Sequence, residues 1–254
     1  MRKKAFTLAE VLITLGVLGV VAAITIPALL TNIEKTQFEG GLKAAQNILS
    51  NGFAEMKAAE MVDSLRDASP WNCFGNGMVL FSNTDDHKCI YKAMKNYFSL
   101  SDPIDGVPEG VVIHDIAGNT MNNAFEETIR YTLPNNMTIN INYMSPYTDK
   151  TKAECEAIKD KGGSMCGIAA NIFLDVNGNK KPNMIGKDIY HFVLDPKGRL
   201  YPTGGKDESI YNGGTDSKWK TTCKGKPLPD ACKGYDSYNL TGRVVEEGNR
   251  ITYY

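Results

Sequence analysis

The chain begins with an apolar stretch from Ala5 to Leu30 in which Glu10 is the only charge, preceded by four residues. As a helix, residues 6–30 extend about 37 Å at 1.5 Å per residue, more than the ~30 Å hydrocarbon core of a bilayer. A basic cluster at residues 2–4 precedes the stretch, and such clusters stay on the cytoplasmic side. The pattern predicts one membrane-spanning helix, with the rest of the chain beyond the membrane. An ordinary cleaved signal peptide fits less well, since it has a shorter, uncharged apolar region.

After Leu30 the apolar positions recur every three or four residues, which is typical of a helix with one buried face. These positions are Phe38, Leu42, Ala45, Leu49, Phe53 and Met56. The spacing predicts that the helix continues to about residue 65 outside the membrane. Its apolar face is available to pack on a sheet.

From about 66 to 109 the sequence is rich in turn-forming residues and predicts a long connector with short helical turns, such as 91–98. Strand patterns follow, rich in β-branched or aromatic residues and bounded by turn residues. The predicted strands are 111–115, 137–143, 169–175, 189–194, 199–201 and a closing strand at 250–254. The fold class is therefore α+β. A long N-terminal helix, with a transmembrane half and an amphipathic half, packs on an antiparallel sheet.

The six cysteines fall into three pairs of close sequence neighbours. The pairs are Cys73 with Cys89, Cys155 with Cys166, and Cys223 with Cys232. In a chain with a membrane-targeting start, such spacing indicates disulfides formed in an oxidising compartment. Pairing of neighbours is the simplest of many connectivities, and free buried thiols are the alternative. The chain has no CxxC motif, which argues against a zinc ribbon or a thioredoxin-type redox centre.

Glu10 is the unusual residue of the apolar segment, because a carboxylate inside a membrane helix costs at least ~2.5 kcal/mol and needs a partner. It lies four residues after Phe6. A cut between Ala5 and Phe6 places the new α-amino group at the same depth as this carboxylate. Pairing within one subunit neutralises both charges, and pairing across subunits also sets the axial stagger of a filament.

The segment Lys3 to Glu10, reading KKAFTLAE, resembles the leader and start of type IV pilins and type II secretion pseudopilins. The resemblance implies that a prepilin peptidase/methyltransferase removes the leader and N-methylates Phe6. It assigns Glu10 to assembly and matches Pro27 to the proline that kinks or loosens the helix of this family. Ala5 is a departure, since the family usually has glycine before the cut.

The resemblance also implies an organisation of the chain and a place for it in the cell. Residues 1–5 are a cleaved leader, 6–30 the transmembrane and assembly helix, 31–65 its extramembrane continuation, and 66–254 a globular head, in a lollipop fold. The leader is cytoplasmic and the head periplasmic on the bacterial inner membrane, or extracellular within a filament. The implied partners are other copies or related pilin-like subunits, the processing enzyme and an inner-membrane assembly platform.

The stretch from Asp175 to Asp188 separates two predicted strands and carries alternating oxygen-bearing side chains. Asp175, Asn177 and Asn179 alternate as in loops that wrap a hard cation, and Asp188 closes such a shell. It is not an EF-hand, which needs glycine at position 180 and glutamate at 186. The loop is similar to one in pilin-like proteins, and major pseudopilins hold calcium near this part of the fold. The alternative is a metal-free turn, since Asn-Gly and Pro-Asn are ordinary turn formers.

Motifs for catalysis and for nucleic-acid binding are lacking in the sequence. His87, His114 and His191 are the only histidines, and no HExxH, GxSxG or GxxxxGK[ST] motif occurs. His191 is predicted to be a strand residue that faces solvent or a partner. The formal net charge is −1, so no large basic field exists to hold a phosphate backbone. The chain is predicted not to be an enzyme.

Three functions remain open at this point. The leading one is a structural subunit of a pilus-like filament or a type II secretion pseudopilus. The second is a minor or tip subunit whose disulfide-bearing head binds a surface or a secreted substrate, favoured by a head larger than that of a minimal major pseudopilin. The third is a membrane-anchored periplasmic binding or enzymatic domain that does not polymerise.

Overall fold

The computed structural model describes residues 7–74, 79–80, 84–101, 104–125, 128–133, 135–144, 168–206 and 216–254. The chain forms two compact units, residues 1–37 and residues 38–254. Helix α1 runs from Leu8 to Glu60 without interruption, and Pro27 lies inside it. The long N-terminal helix predicted from the apolar pattern is therefore present.

In the second unit, α1 buries the face that the three-to-four spacing predicts. Its buried large side chains are Phe38, Leu42, Leu49, Phe53 and Met56. The helix ends at Glu60 rather than near residue 65, because Met61 adopts a left-handed backbone conformation with φ 54°. A separate 3₁₀ turn follows at Leu65–Asp67, and the Ser64 side chain caps its first turn.

The described residues form one seven-stranded sheet in which every strand pair is antiparallel. The strands are β1 Val79–Leu80, β2 Ile104–Asp105, β3 Ile129–Thr132, β4 Thr138–Met144, β5 Ala170–Asp175, β6 Ile189–Leu194 and β7 Leu200–Pro202. Their order is β2-β3-β4-β5-β6-β7, and β1 pairs with β4. β1 and β2 are only two residues long, so β3 to β7 make up the body of the sheet. The α+β prediction is confirmed.

Two of the predicted strands are wrong. In the segment 111–115 only His114 makes β-bridges, with Thr120 and Met184. The closing segment 250–254 has no regular structure, and its Ile251 N–H donates to Glu39 Oε1 on α1 at 2.7 Å. Both segments are held by contacts outside the sheet. An apolar pattern alone does not distinguish such segments from strands.

Further α-helices lie among the described residues. These are α2 Thr84–Phe98, α3 Trp219–Thr222 and α4 Leu240–Glu246. The sequence predicted only a helical turn where α2 lies, and it missed α3 and α4. The polar C-terminal part of the chain is therefore partly helical.

Side chains of the sheet alternate between two apolar clusters, which shows that both faces are covered. Ile172 and Leu174 of β5 pack in the main core with α1, whereas Phe173 between them packs in a second cluster. That second cluster consists of Ile113, Met121, Phe125, Phe173, Ile185 and Ile189. Arg130 of β3 alternates with the core residues Ile129 and Tyr131, so it lies on the same face as Phe173.

Candidate functional site

The first candidate site is the apolar part of α1, whose side chains are exposed around the whole helix. No residue from 7 to 37 is buried. The exposed large apolar side chains are Leu8, Val11, Leu12, Ile13, Leu15, Val17, Leu18, Val20, Val21, Ile24, Ile26, Leu29, Leu30 and Ile33. The helix is long and apolar enough to cross a membrane. A surface this apolar requires lipid or other helices around it.

Polar side chains within this stretch bond back to their own helix. Thr14, Thr25 and Thr31 each donate a hydroxyl hydrogen to a backbone carbonyl three or four residues earlier, at 2.9, 2.9 and 3.0 Å. Pro27 lacks an N–H and therefore leaves one helical bond unmade, although the helix continues through it. The hydroxyls thus need no partner from outside, and Glu10 is the only charged group of the stretch.

Glu10 forms a reciprocal cap with Thr7 at the start of α1. The backbone N–H and the hydroxyl of Thr7 donate to Glu10 Oε2 at 2.8 and 2.9 Å, and Glu10 N–H donates to Thr7 Oγ1 at 3.2 Å. This is a capping box, and the sequence carries its T-x-x-E signature, which was missed. Ala5 and Phe6 lie outside the described residues, so the cut between them and the pairing of Glu10 with the new amine stay predictions.

The second candidate site is the loop 175–188 between β5 and β6. Asp175 ends β5 on the face of the sheet that carries Arg130, and both side chains are buried. Arg130 Nη2 lies 3.1 Å from Asp175 Oδ2 and donates to Asn179 Oδ1 at 2.7 Å. The guanidinium therefore joins two of the four residues predicted to bind calcium. No pattern in the sequence points to Arg130, which lies 45 residues before Asp175.

Asp188 closes the loop from the other end and is fully buried. Its Oδ2 accepts from the Asn183 N–H at 2.9 Å, and its Oδ1 accepts from the Met184 N–H at 2.6 Å. Two amide oxygens in the loop, Asn177 Oδ1 and Asn183 Oδ1, are buried without a hydrogen-bond partner in the described part of the chain. Such orphaned oxygens are rare in folded proteins and call for an explanation.

The two carboxyl groups of the loop have raised pKa values. Burial, and then the negative charge of Asp188, raise the pKa of Asp175 to about 7, while Arg130 acts in the opposite direction. Burial raises the pKa of Asp188 to about 6, against the backbone N–H groups of Met184 and Asn183. Burial also lowers the pKa of Arg130. The site thus holds two carboxyl groups and one internal cation in a dry environment.

The predicted calcium ligands are Asp175, Asn177, Asn179 and Asp188. Calcium takes about 6–8 oxygen ligands. Here Arg130 already binds two of the four residues, and backbone N–H groups take both oxygens of Asp188. The described residues hold no group of three or more His, Cys, Asp or Glu that could bind a metal. As arranged, these residues do not fit a calcium shell, and calcium binding stays a prediction that titration has to test.

Two disulfides connect neighbouring segments of the second unit. Cys73 bonds to Cys89 with their Cα atoms 5.8 Å apart, which ties the 3₁₀ turn Trp71–Phe74 to α2. Cys223 bonds to Cys232 with a Cα separation of 4.8 Å, in the polar region that precedes α4. Both bonds fit the pairing of sequence neighbours. The third predicted pair, Cys155 and Cys166, lies outside the described residues.

His191 on β6 is buried, and the prediction that it faces solvent or a partner is wrong. Its ring lies 4.3 Å from that of Phe173 and 5.0 Å from that of Tyr238. Its Nδ1 is 2.7 Å from the hydroxyl of Thr203. Burial lowers the pKa of His191 to about 3, so the ring is neutral at ordinary pH. His191 is packed as part of the second face of the sheet.

The comparisons with known proteins bear on the first of these two sites. Searches of curated proteins and of solved structures returned no match. A family model described as the prokaryotic N-terminal methylation motif matches residues 1–26. The match includes the basic leader, Glu10 and most of the apolar stretch. Residues 1–26 of this chain therefore carry the N-terminal methylation signal of type IV pilins and pseudopilins.

Proposed function

We propose that the chain is a structural filament subunit of a type IV pilus-like fibre or of a type II secretion pseudopilus. The peptidase cuts between Ala5 and Phe6 and N-methylates Phe6, and residues 6–30 pack into the filament core. The observation that carries the proposal is the part of α1 from residue 7 to residue 30, which has no buried side chain and whose single charge, Glu10, lies within the methylation motif. Subunits that carry this signal are structural proteins rather than enzymes.

Glu10 supplies the proposed register between subunits. In the separate chain its carboxylate is held by Thr7, in a bond that is local to the helix start. Within the filament the methylated amine of Phe6 on a neighbouring copy offers a full positive charge, and a charged pair outweighs a neutral cap in an apolar medium. Exchange of the Thr7 contact for this charge accompanies assembly.

The proposed organisation follows from the same features. Residues 1–5 remain cytoplasmic until they are cut, 6–30 cross the inner membrane, 31–65 continue outside it and 66–254 form the periplasmic head. The basic leader supports this orientation, since positive residues are retained on the cytoplasmic side. The partners are the prepilin peptidase, related pilin-like subunits and an inner-membrane assembly platform.

Mass spectrometry of the mature protein tests the processing step directly. We expect an N-terminal peptide that begins with methylated Phe6, both for the natural chain and for an Ala5→Gly variant. The variant restores the residue usual in this family, and so we expect it to be processed at least as fast. A mature protein that starts at another residue, or a chain that keeps its leader while Ala5→Gly is cut, contradicts the proposed processing of the natural chain.

Replacement of Glu10 tests assembly. We expect Glu10→Leu to be inserted in the membrane but absent from sheared filaments, because the charge that finds the neighbouring amine is gone. Glu34→Leu is the matched control, since Glu34 is an exposed glutamate of the same helix beyond the apolar stretch. Filaments that form equally well with Glu10→Leu would favour an anchored protein that does not polymerise.

A minor or tip subunit is the second candidate, and the second unit supplies an observation in its favour. Both faces of its sheet are covered, and its described residues include two disulfides in the segments that surround the sheet. These added segments offer surface for a partner beyond the filament. The ratio of this chain to other pilin-like subunits in sheared filaments separates the two candidates, since a tip protein is rare and a major subunit abundant.

A further inference from the structure

We propose that the guanidinium of Arg130 takes the place of a bound metal ion in the loop 175–188, so that this loop folds without calcium. The proposal concerns the second unit alone and does not depend on the role of the chain in a filament. It assigns to a strand residue the task that the sequence pattern predicts for a divalent cation.

The Arg130 guanidinium occupies the position that a calcium ion would need. A calcium ion in this loop requires oxygens from Asp175 and Asn179, and Arg130 Nη2 lies 3.1 Å and 2.7 Å from those two atoms. One nitrogen thus bridges two of the four predicted metal ligands. An arginine does not lose its proton in a protein, so the guanidinium supplies the loop with a permanent positive charge.

The guanidinium is held in place by the sheet itself. Arg130 of β3 pairs in register with Asn140 of β4, and both side chains are buried. Arg130 Nη1 donates to Asn140 Oδ1 at 3.3 Å, and Asn140 Nδ2 donates in turn to Thr128 Oγ1 at 2.9 Å. The cation is therefore positioned by groups outside the loop, and the loop closes onto it.

The net charge of the loop also disfavours a bound calcium ion. Asp175 and Asp188 together bring at most two negative charges, and Arg130 cancels one of them. A calcium ion added to this arrangement would leave an excess positive charge in a buried site. Calcium loops gain affinity from the number of their charged ligands, and here that number is already reduced by the internal cation.

The two orphaned oxygens show what removal of Arg130 would leave. Asn177 Oδ1 and Asn183 Oδ1 are buried and unpartnered in the described part of the chain. The backbone N–H groups of the same two residues donate to Asp175 Oδ1 at 3.1 Å and to Asp188 Oδ2 at 2.9 Å. Without the guanidinium, Asp175, Asn179 and these amide oxygens form a set of hard donors with no cation. Such a set is what a calcium ion binds. The Arg130→Met variant is therefore expected to acquire a calcium dependence that the natural chain lacks.

Thermal unfolding of the full chain in non-ionic detergent micelles tests the proposal. Both tryptophans, Trp71 and Trp219, belong to the second unit, so their fluorescence reports on its unfolding. For the natural chain we expect the same midpoint in a chelator and in about 10 mM calcium, above the millimolar range of weak calcium modules. We expect Arg130→Met to unfold roughly 10 °C lower in the chelator. Calcium should restore a measurable part of that loss.

Matched controls separate the guanidinium from a general effect of charge. Arg250→Met removes an exposed arginine of the same unit and should leave both midpoints unchanged. Arg130→Lys keeps a positive charge in the loop and should fold without a calcium response. A calcium-dependent rise in the natural chain overturns the proposal, and so does an Arg130→Met chain that is as stable as the natural one or does not respond to calcium. If Arg130→Met does not fold, calorimetric titration of the natural chain with calcium decides, since binding heat contradicts the proposal and its absence supports it.

Discussion

The two parts of helix α1 contrast with each other. Before Phe38 the apolar side chains occupy all sides of the helix and remain exposed, whereas from Phe38 to Glu60 they recur every three or four residues and are buried. Secondary structure is the same in both parts. The difference is the source of the apolar partner, which the sheet supplies for the second part and which a membrane or other helices have to supply for the first. Matched substitutions in the two parts test this contrast.

The largest effect is expected from shortening a buried leucine. Leu42 has no exposed surface, and Leu42→Ala should lower the free energy of unfolding of the second unit by about 3 kcal/mol through lost burial and a cavity. Leu18→Ala makes the same change at a side chain that is 64% exposed, and should leave that free energy within about 0.5 kcal/mol. Urea unfolding in micelles, followed by tryptophan fluorescence, measures both. Equal losses would show that the exposed part also stabilises the second unit.

Sequence reasoning succeeded where the signal is local and periodic. The buried face of α1 follows from residues three or four apart, and β6 was predicted with its observed bounds, Ile189–Leu194, because an apolar run is bounded by turn residues. By contrast, β3 was missed. It is short, and Arg130 at its centre makes it look like an exposed segment.

The contacts of Arg130 explain why the second candidate site could not be predicted fully. Its partner Asp175 lies 45 residues further along the chain, so no window of sequence shows the pair. The alternating oxygen-bearing side chains of the loop are visible in the sequence itself. What sequence could not show is that the protein brings its own cation to them. The capping box of Thr7 and Glu10 differs from this pair, since its residues are three apart and its sequence signature is enough to predict it.

The second expected effect is a pH dependence of the stability of the second unit, which arises from its buried titratable groups. Burial lowers the pKa of His191 to about 3, against about 6.5 in the unfolded chain. The unfolded chain thus binds a proton that the folded chain does not, and stability is lost as pH falls below 6.5. At about pH 5 the loss is about 2 kcal/mol.

His191→Phe should remove this loss while keeping the ring contact with Phe173. Asp175 and Asp188 act in the opposite direction, because their raised pKa values make stability fall as pH rises from about 4 to 7. The test therefore measures the free energy of unfolding by urea for the variant and for the natural chain, and compares their difference at pH 5 with their difference at pH 8. Loss of the Thr203 contact changes the stability of the variant equally at the two pH values. A difference between variant and natural chain that is the same at pH 5 and pH 8 would therefore contradict the prediction.

A third, smaller effect is expected from adding a methyl group to glycines of the same helix. A Cβ at Gly52 would overlap the ring of Phe98, whereas a Cβ at Gly19 has nothing within 4 Å. Gly52→Ala should destabilise the second unit by about 1 kcal/mol, since overpacking exceeds the gain in helix propensity. Gly19→Ala should leave that unit unchanged.

The yield of filaments tests the exposed glycine, Gly19, separately. Small residues allow helices in an apolar medium to approach closely, so Gly19→Ala should reduce assembly if its neighbour in the filament packs at this position. Leu18→Ala serves as the control, because it makes the adjacent side chain smaller rather than larger. A filament yield unaffected by Gly19→Ala would place the helix contacts on another side of α1.

The smallest effect is expected at the start of the helix. Thr7→Val keeps the shape of the side chain but removes the hydroxyl that bonds with Glu10, and the lost cap should cost about 1 kcal/mol of local helix stability. Unfolding of the second unit should not change, whereas amide hydrogen exchange of the first turn of α1 in micelles should become faster. Thr7→Ser, which retains a hydroxyl, should exchange like the natural chain. If the amides of Thr7→Val exchange at the same rate as those of the natural chain, the Thr7 hydroxyl does not hold Glu10. The proposal that Glu10 leaves Thr7 for the Phe6 amine of a neighbouring copy would then be contradicted.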